Sequence, residues 1–218
     1  MSQVFPPIVN TISRVSILGA GFLIGGAVWL VASIFQSPYV SREGVTRPQP
    51  VAFSHKTHVG ALGLDCRYCH SFVEESATAG LPSTKTCMAC HSQILAKSPL
   101  LEPVRDSYDD DLPIAWTRVH DLPDFVRFDH SIHVNQGVGC SSCHGRVDRM
   151  PLMAQGSNLQ MDWCVRCHRQ PELALRSQSE VFDISWQPGP DQEQRGRALM
   201  SENSIRTKPL TDCSICHQ

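Results

Sequence analysis

The sequence predicts a domain of short helices and irregular loops with little conventional core, carried behind one N-terminal membrane-spanning helix. Three observations predict it. A pentapeptide Cys-x-x-Cys-His occurs five times, as Cys66-x-x-Cys69-His70, Cys87-x-x-Cys90-His91, Cys140-x-x-Cys143-His144, Cys164-x-x-Cys167-His168 and Cys213-x-x-Cys216-His217. An uncharged run, VSILGAGFLIGGAVWLVASIF, fills residues 15–35. Long β-type alternation is absent, aromatic residues are only 7% of the chain, and 15 prolines interrupt it, which disfavours both a sheet and a large side-chain core.

The pentapeptides consume all ten cysteines, so none remains for a disulfide, a free thiol or an iron–sulfur cluster. Paired Cys-x-x-Cys also builds zinc ribbons. Here His follows the second Cys every time, although only 10 of the 218 residues are His. That regularity points to covalent c-type haem, with two thiols bonding the porphyrin vinyl groups and the adjacent His ligating iron. Five sites predict five covalently bound haem c groups, held by Cys66, Cys69, Cys87, Cys90, Cys140, Cys143, Cys164, Cys167, Cys213 and Cys216. The proximal iron ligands are then His70, His91, His144, His168 and His217.

Five histidines are left over: His55, His58, His120, His130 and His133. Five irons closed by a second axial ligand need five such imidazoles, so all five are candidate distal ligands. His120 stands alone in the sequence. Met150, Met153 and Met161 lie near the third and fourth motifs and are alternatives for one distal position, where a thioether would raise that haem's potential.

The other four spare histidines form two matched runs, Phe53-Ser-His55-Lys-Thr-His58 and Phe128-Asp-His130-Ser-Ile-His133, offset by 75 residues and each followed by two haem motifs. Histidines three apart on a helical turn point to the same side. They therefore cannot approach one iron from opposite faces. Each pair must serve two haems and hold them close together. Closely packed haems with filled axial positions make an electron wire, with no substrate reacting at iron.

The run 15–35 is long enough to cross a bilayer core of about 30 Å as a helix. It is longer than the apolar region of a usual signal peptide and has no evident small-x-small cleavage site, so a retained anchor is expected. Gly21-x-x-x-Gly25 offers a face for close helix packing. Arg14 precedes the run while Arg42 and Arg47 follow it, so charge does not orient the span. Haem chemistry does: c-type haem is attached on the outer side of the bacterial cytoplasmic membrane. Residues 36–218 are accordingly expected on the periplasmic side.

The expected organisation is an N-terminal segment, 1–35, and one haem domain, 36–218. Within the latter lie a first module (53–91), a Pro-rich linker with Asp109-Asp110-Asp111 (92–127), a second module (128–168), and a C-terminal excursion ending in the fifth motif (169–218). The polar stretch 175–211 reads as a partner-binding surface or mobile loop. A net charge of −2 leaves no basic footprint for nucleic acid. No phosphate-binding Gly loop or Ser-His-Asp set is present, and no catalytic residue is predicted.

The second module with the fifth motif resembles a three-haem cytochrome of the c7 type. On a larger scale, FSHKTHVGALGLDCRYCH, PSTKTCMACHSQI, KSPLLEPVRDSYDDDLPIAWTRVHDLPDFVRFDHSIHV, GVGCSSCHGRVDRMPLM, LQMDWCVRCHRQPE and PLTDCSICH resemble the pentahaem cytochrome c subunit of bacterial alternative complex III. The run from Trp116 through His120 to Phe125 is its most distinctive part. The resemblance covers about nine-tenths of the chain. It implies an electron-relaying subunit of a quinol-oxidising respiratory or photosynthetic complex, with quinol oxidation in a neighbour. The implied partners are an iron–sulfur/molybdoenzyme-like subunit, polytopic quinol-binding membrane subunits and a monohaem cytochrome c. The competing class is a quinol dehydrogenase anchor of the nitrite-reductase-partner type, whose first haem motif follows the membrane helix more closely than Cys66 does here.

Overall fold

The structure, a computed structural model, describes residues 5–217. It divides into two units, Met1–Arg42 and Glu43–Gln218. In the first, helix α1 runs Ile8–Gln36 and the short α2 runs Pro38–Ser41. Pro7 stands at the N-cap of α1, where a missing N–H costs nothing. The helix stops at Ser37, whose backbone is extended ahead of Pro38, as the residue before proline favours. At 29 residues it is about 44 Å long, enough to cross a membrane, and it extends beyond the uncharged run at both ends. None of its residues is buried within the chain. A helix apolar on every side and uncovered by its own chain suits lipid.

The second unit is built from turns of helix strung on loops. A π-helical turn at Lys56–Ala61 is followed by α3 (Cys66–Cys69), α4 (Thr84–His91), α5 (Glu102–Asp109), α6 (His130–Asn135), α7 (Ser141–His144), α8 (Met161–Arg169), α9 (Gln192–Glu202), α10 (Thr207–Leu210) and α11 (Cys213–Cys216). Among the described residues β-structure is limited to isolated bridges, such as Val126 with His217 and Val138 with Leu175. The expected mostly helical and irregular fold without a sheet is the observed one.

Polypeptide core is scarce. The main buried cluster is Val73, Val134 and Val181, with Ala79 and Phe182 packed on it. It joins the first module, the second module and the C-terminal excursion. The chain exposes 15000 Å², against about 10,000 Å² for a compact monomer of its mass. Part of that excess is α1. Part is apolar surface beside the cysteine motifs, including Leu62, Tyr68, Ile94 and Ile215, which the polypeptide alone does not cover.

The two modules grip each other reciprocally. The turn of the first donates Lys56 N–H to Met150 O in the second (3.0 Å), and Gly60 presses on the backbone carbonyl of Asp148 so closely that a Cβ would collide. The turn of the second donates His130 and Ser131 N–H to Ala77 and Ser76 of the first (3.2 Å each), and Asn135 Nδ2 reaches Glu74 O at 2.9 Å. Gly60 and Asn135 are equivalent across the 75-residue repeat.

The stretch 175–211 is held to the domain at defined points. Leu175, Arg176 and Val181 are its fully buried anchors. Gln192, buried at the start of α9, donates to Glu172 O and Leu175 O at 2.8 and 2.7 Å. At Arg176 and Gln192 polarity therefore serves interior hydrogen bonding to backbone carbonyls.

Candidate haem sites

Every Cys-x-x-Cys-His motif sits on a helical turn, in α3, α4, α7, α8 and α11. One turn is what the chemistry requires: Cys residues three apart share a face, and the following His closes the turn. The backbone bonds His70 N–H to Cys66 O (2.9 Å), His144 to Cys140 (3.0 Å) and His217 to Cys213 (2.9 Å) show that closure. All ten cysteines are free thiols, suited to thioether formation.

Six of the histidines anchor one ring nitrogen on a backbone carbonyl. The Nδ1 of His70 donates to Gly80 O (2.7 Å), that of His91 to Ile94 O (2.9 Å) and that of His168 to Leu210 O (2.9 Å). The turn histidines do likewise: His58 to Ser54 O (2.8 Å), His130 to Ala77 O (2.8 Å) and His133 to Asp129 O (2.7 Å). Anchoring Nδ1 fixes the tautomer and leaves Nε2 as the lone-pair donor, the usual arrangement of a metal-bound imidazole.

Their spacing is equally specific. Ring centroids are 6.1 Å apart for His58 and His91, 6.3 Å for His130 and His144, and 6.1 Å for His133 and His168. Two imidazoles bound through Nε2 to opposite sides of one metal, at bonds of about 2 Å, put their centroids roughly 6 Å apart. These three pairs have the separation a bis-imidazole iron demands. His55 occupies the position in the first module that His130 occupies in the second, and it lies within electrostatic reach of His70. Its buried Nδ1 has no hydrogen-bond partner. Burial, with His70 and His58 nearby, lowers its pKa to about 4, and burial lowers that of His144 to about 3. Both are thus held neutral, the form that ligates metal.

The remaining predicted residues are placed differently. His120 lies against His144, with its Nε2 3.2 Å from His144 Nδ1 and the ring centroids 4.3 Å apart. The bridge Val126–His217 and the stacking of Phe125 on His217 (5.8 Å, 26°) bring the fifth motif beside the start of the second module. Met161 is exposed at the start of α8, Met153 is half-buried, and Met150 lies near Gly145 with its carbonyl engaged by Lys56.

Neighbouring thiols order the motifs. Cys69 feels the charge of Cys87; Cys66 and Cys140 hydrogen-bond, lowering Cys66 to about 7 and raising Cys140; burial pushes Cys143 up to about 12, with Cys167 and Cys164 adding to the rise; Cys164 feels Cys216.

Two supporting features escaped sequence reading. Arg176, fully buried, donates to Ser141 Oγ (3.1 Å) and Ser142 Oγ (3.0 Å), the two residues between Cys140 and Cys143, and to Asp183 O (3.1 Å). Its guanidinium stacks on Trp186 at 4.2 Å. It passes so close to Gly139 that any Cβ there would collide. The glycine beside Cys140 was the available signal. The second feature is Gln49, whose amide pairs with the backbone of Thr117 (2.8 and 2.9 Å) while Arg47 donates to Arg118 O (2.7 Å). Together they pin the segment carrying His120.

A family profile described as cytochrome c7 and related cytochrome c matches residues 51–105 and 126–218, well over half the chain. The chain belongs to that family of multihaem c-type cytochromes, and membership implies covalent haem c on its Cys-x-x-Cys-His motifs. A curated relative, the multihaem cytochrome c subunit of a menaquinone reductase from Nitratidesulfovibrio vulgaris (strain Hildenborough), is 36% identical over 138 residues. The alignment spans 60% of this chain and 60% of that protein.

Proposed function

We propose that this chain is a membrane-anchored pentahaem relay that carries electrons within a quinol-oxidising complex of the alternative complex III type. The observation that carries this reading is the trio of imidazole pairs at 6.1–6.3 Å, each formed by a turn histidine and a motif histidine. In this reading His58 and His91 hold the second haem, His130 and His144 the third, His133 and His168 the fourth. His55 and His70 hold the first by the repeat, and His217 holds the fifth from its proximal side. Each haem, once bound, takes up and gives away one electron. The protein's own contribution is to anchor Nδ1, keep the imidazoles neutral and seat successive haems side by side.

The three imidazole pairs within one domain support conduction between neighbouring haems. Helix α1 supports an anchor in the cytoplasmic membrane, with residues 36–218 on the periplasmic side. The curated relative's name ties a related cytochrome to quinone chemistry in a multi-subunit enzyme. Quinol oxidation is assigned to a partner subunit. The partners expected are an iron–sulfur/molybdoenzyme-like subunit, polytopic quinol-binding subunits and a monohaem cytochrome c.

Purification of the native assembly in mild detergent tests this. Pyridine haemochrome and intact mass of the separated chain should give five covalent haems. The assembly should reduce those haems with a quinol analogue, whereas the separated chain should accept electrons from dithionite yet leave the quinol untouched. Quinol oxidation by the separated chain would move the reactive site here and favour the nitrite-reductase-partner class.

A further inference from the structure

A buried guanidinium backs the third motif. Arg176 is threaded between two glycines: its N–H donates to Gly137 O at 2.9 Å, and its head group fills the space a side chain at Gly139 would need. Nη2 donates to Ser141 and Ser142, which carries the cation directly onto the turn between Cys140 and Cys143. Nη1 reaches Asp183 O at 3.1 Å and Glu180 O at 3.4 Å. All four acceptors are uncharged, and the buried Nε has no partner. The nearby carboxylates are engaged elsewhere: Asp183 accepts from the N–H and hydroxyl of Ser185, and Glu180 accepts from Ser177 and Arg195. The first and fourth motifs also contain an arginine between their cysteines. Those two, Arg67 and Arg166, lie at the surface and face Asp65 (2.9 Å) and Asp162 (3.9 Å), so solvent and a carboxylate screen them. Burying a charge without a counter-charge is expensive. A neutral amide could donate to the same hydroxyls and carbonyls, so the charge itself calls for a reason.

We propose, building on the assignment of the third haem to Cys140 and Cys143, that Arg176 raises the midpoint potential of that haem. A guanidinium stays charged at any pH the protein meets. Iron between two neutral imidazoles carries one more positive charge when ferric than when ferrous. A fixed cation behind the attachment turn therefore disfavours the ferric form, and burial keeps water from screening the repulsion. The expected effect is on the order of tenfold in the ferric-to-ferrous ratio, about 59 mV for a one-electron couple. The C-terminal excursion thus sets an electronic property of the second module as well as packing on it.

The full-length haem-loaded chain in detergent provides the test, by redox titration followed through the low-spin paramagnetic resonance lines of the individual haems. Arg176→Gln should lower one midpoint about tenfold in ratio, and the line that moves should be the one lost in His130→Ala. Arg176→Lys keeps the charge but not the fork or the stack on Trp186. It should weaken the protein in denaturant while holding the wild-type midpoint at about pH 6. At about pH 10, where a buried ammonium gives up its proton, its midpoint should fall below that of the wild type. A role confined to holding the turn predicts the reverse pattern, with potential following stability in both variants. Unchanged midpoints in Arg176→Gln, a shift in a different haem, or an Arg176→Lys midpoint as low as that of Arg176→Gln at about pH 6 would overturn the proposal. Should Arg176→Gln fail to accumulate, Arg176→Lys decides alone, because the absence of a gap from wild type at high pH overturns it equally. Pyridine haemochrome of the same samples separates the two levels of the reading: fewer than five haems overturns the haem assignment and this proposal with it, whereas five haems with unmoved midpoints overturns this proposal only.

Discussion

The two Phe-x-His-x-x-His turns reach the same ring geometry on different backbones. The first is a π-helical turn, the second the α-helix α6. Yet His55 stands edge-on to Phe53 at 4.9 Å and 87°, and His130 stands to Phe128 at 4.8 Å and 88°. His58 stacks on Phe53 at 4.3 Å and 24°, and His133 on Phe128 at 4.6 Å and 26°. What repeats is the aromatic wedge, the three-residue spacing and the Nδ1 bond of the second His to a carbonyl four residues back. The helix type is whatever delivers those rings. The difference lies in how each turn meets the opposite module, with Gly60 touching backbone where Asn135 reaches out to it.

The largest effects should come from the turn histidines. Single changes His58→Ala, His130→Ala and His133→Ala should each open one iron, read as one new high-spin signal or one added equivalent of carbon monoxide bound by the reduced protein. The double variant His130→Ala/His133→Ala should open two. If the double variant disturbs one haem only, the two histidines of that turn do not serve separate haems.

Next in size is the packing difference. Gly60→Val should destabilise the protein by about 2–3 kcal/mol in denaturant unfolding, because its side chain must displace the Asp148 backbone. Asn135→Ala, at the equivalent site, should cost about 1 kcal/mol, the worth of one hydrogen bond. Equal costs would erase the asymmetry between the modules.

A comparable loss is expected at Arg176, which neither turn contains. Arg176→Ala should cost about 2–4 kcal/mol, since Ser141, Ser142 and the Asp183 carbonyl lose a buried donor. Arg176→Lys should recover little of it, because a point ammonium cannot reproduce the fork or the stack on Trp186. Gln49→Ala should cost about 1–2 kcal/mol for two part-buried hydrogen bonds.

Much of this was legible because haem attachment and ligation are written in short local patterns. Cys-x-x-Cys-His needs one helical turn, and Phe-x-His-x-x-His needs another, so spacing alone placed both. The pairing of His58 with His91 or His133 with His168 depends on how distant segments meet, which spacing does not encode. The contact of His120 with His144 was equally beyond the reach of spacing, because it joins segments 24 residues apart. The buried roles of Arg176 and Gln192 were not legible, because both look like surface residues until the carbonyls they satisfy are known.

The reciprocal grip between modules also bears on biogenesis. A chain exported N-terminus first delivers Lys56 and Gly60 to the far side of the membrane long before Met150 and Asp148, the groups they dock on. Until the third motif has emerged, the first turn has nothing to close against. The contact that rigidifies the domain thus joins segments far apart in the chain, and it can form only after both have been made.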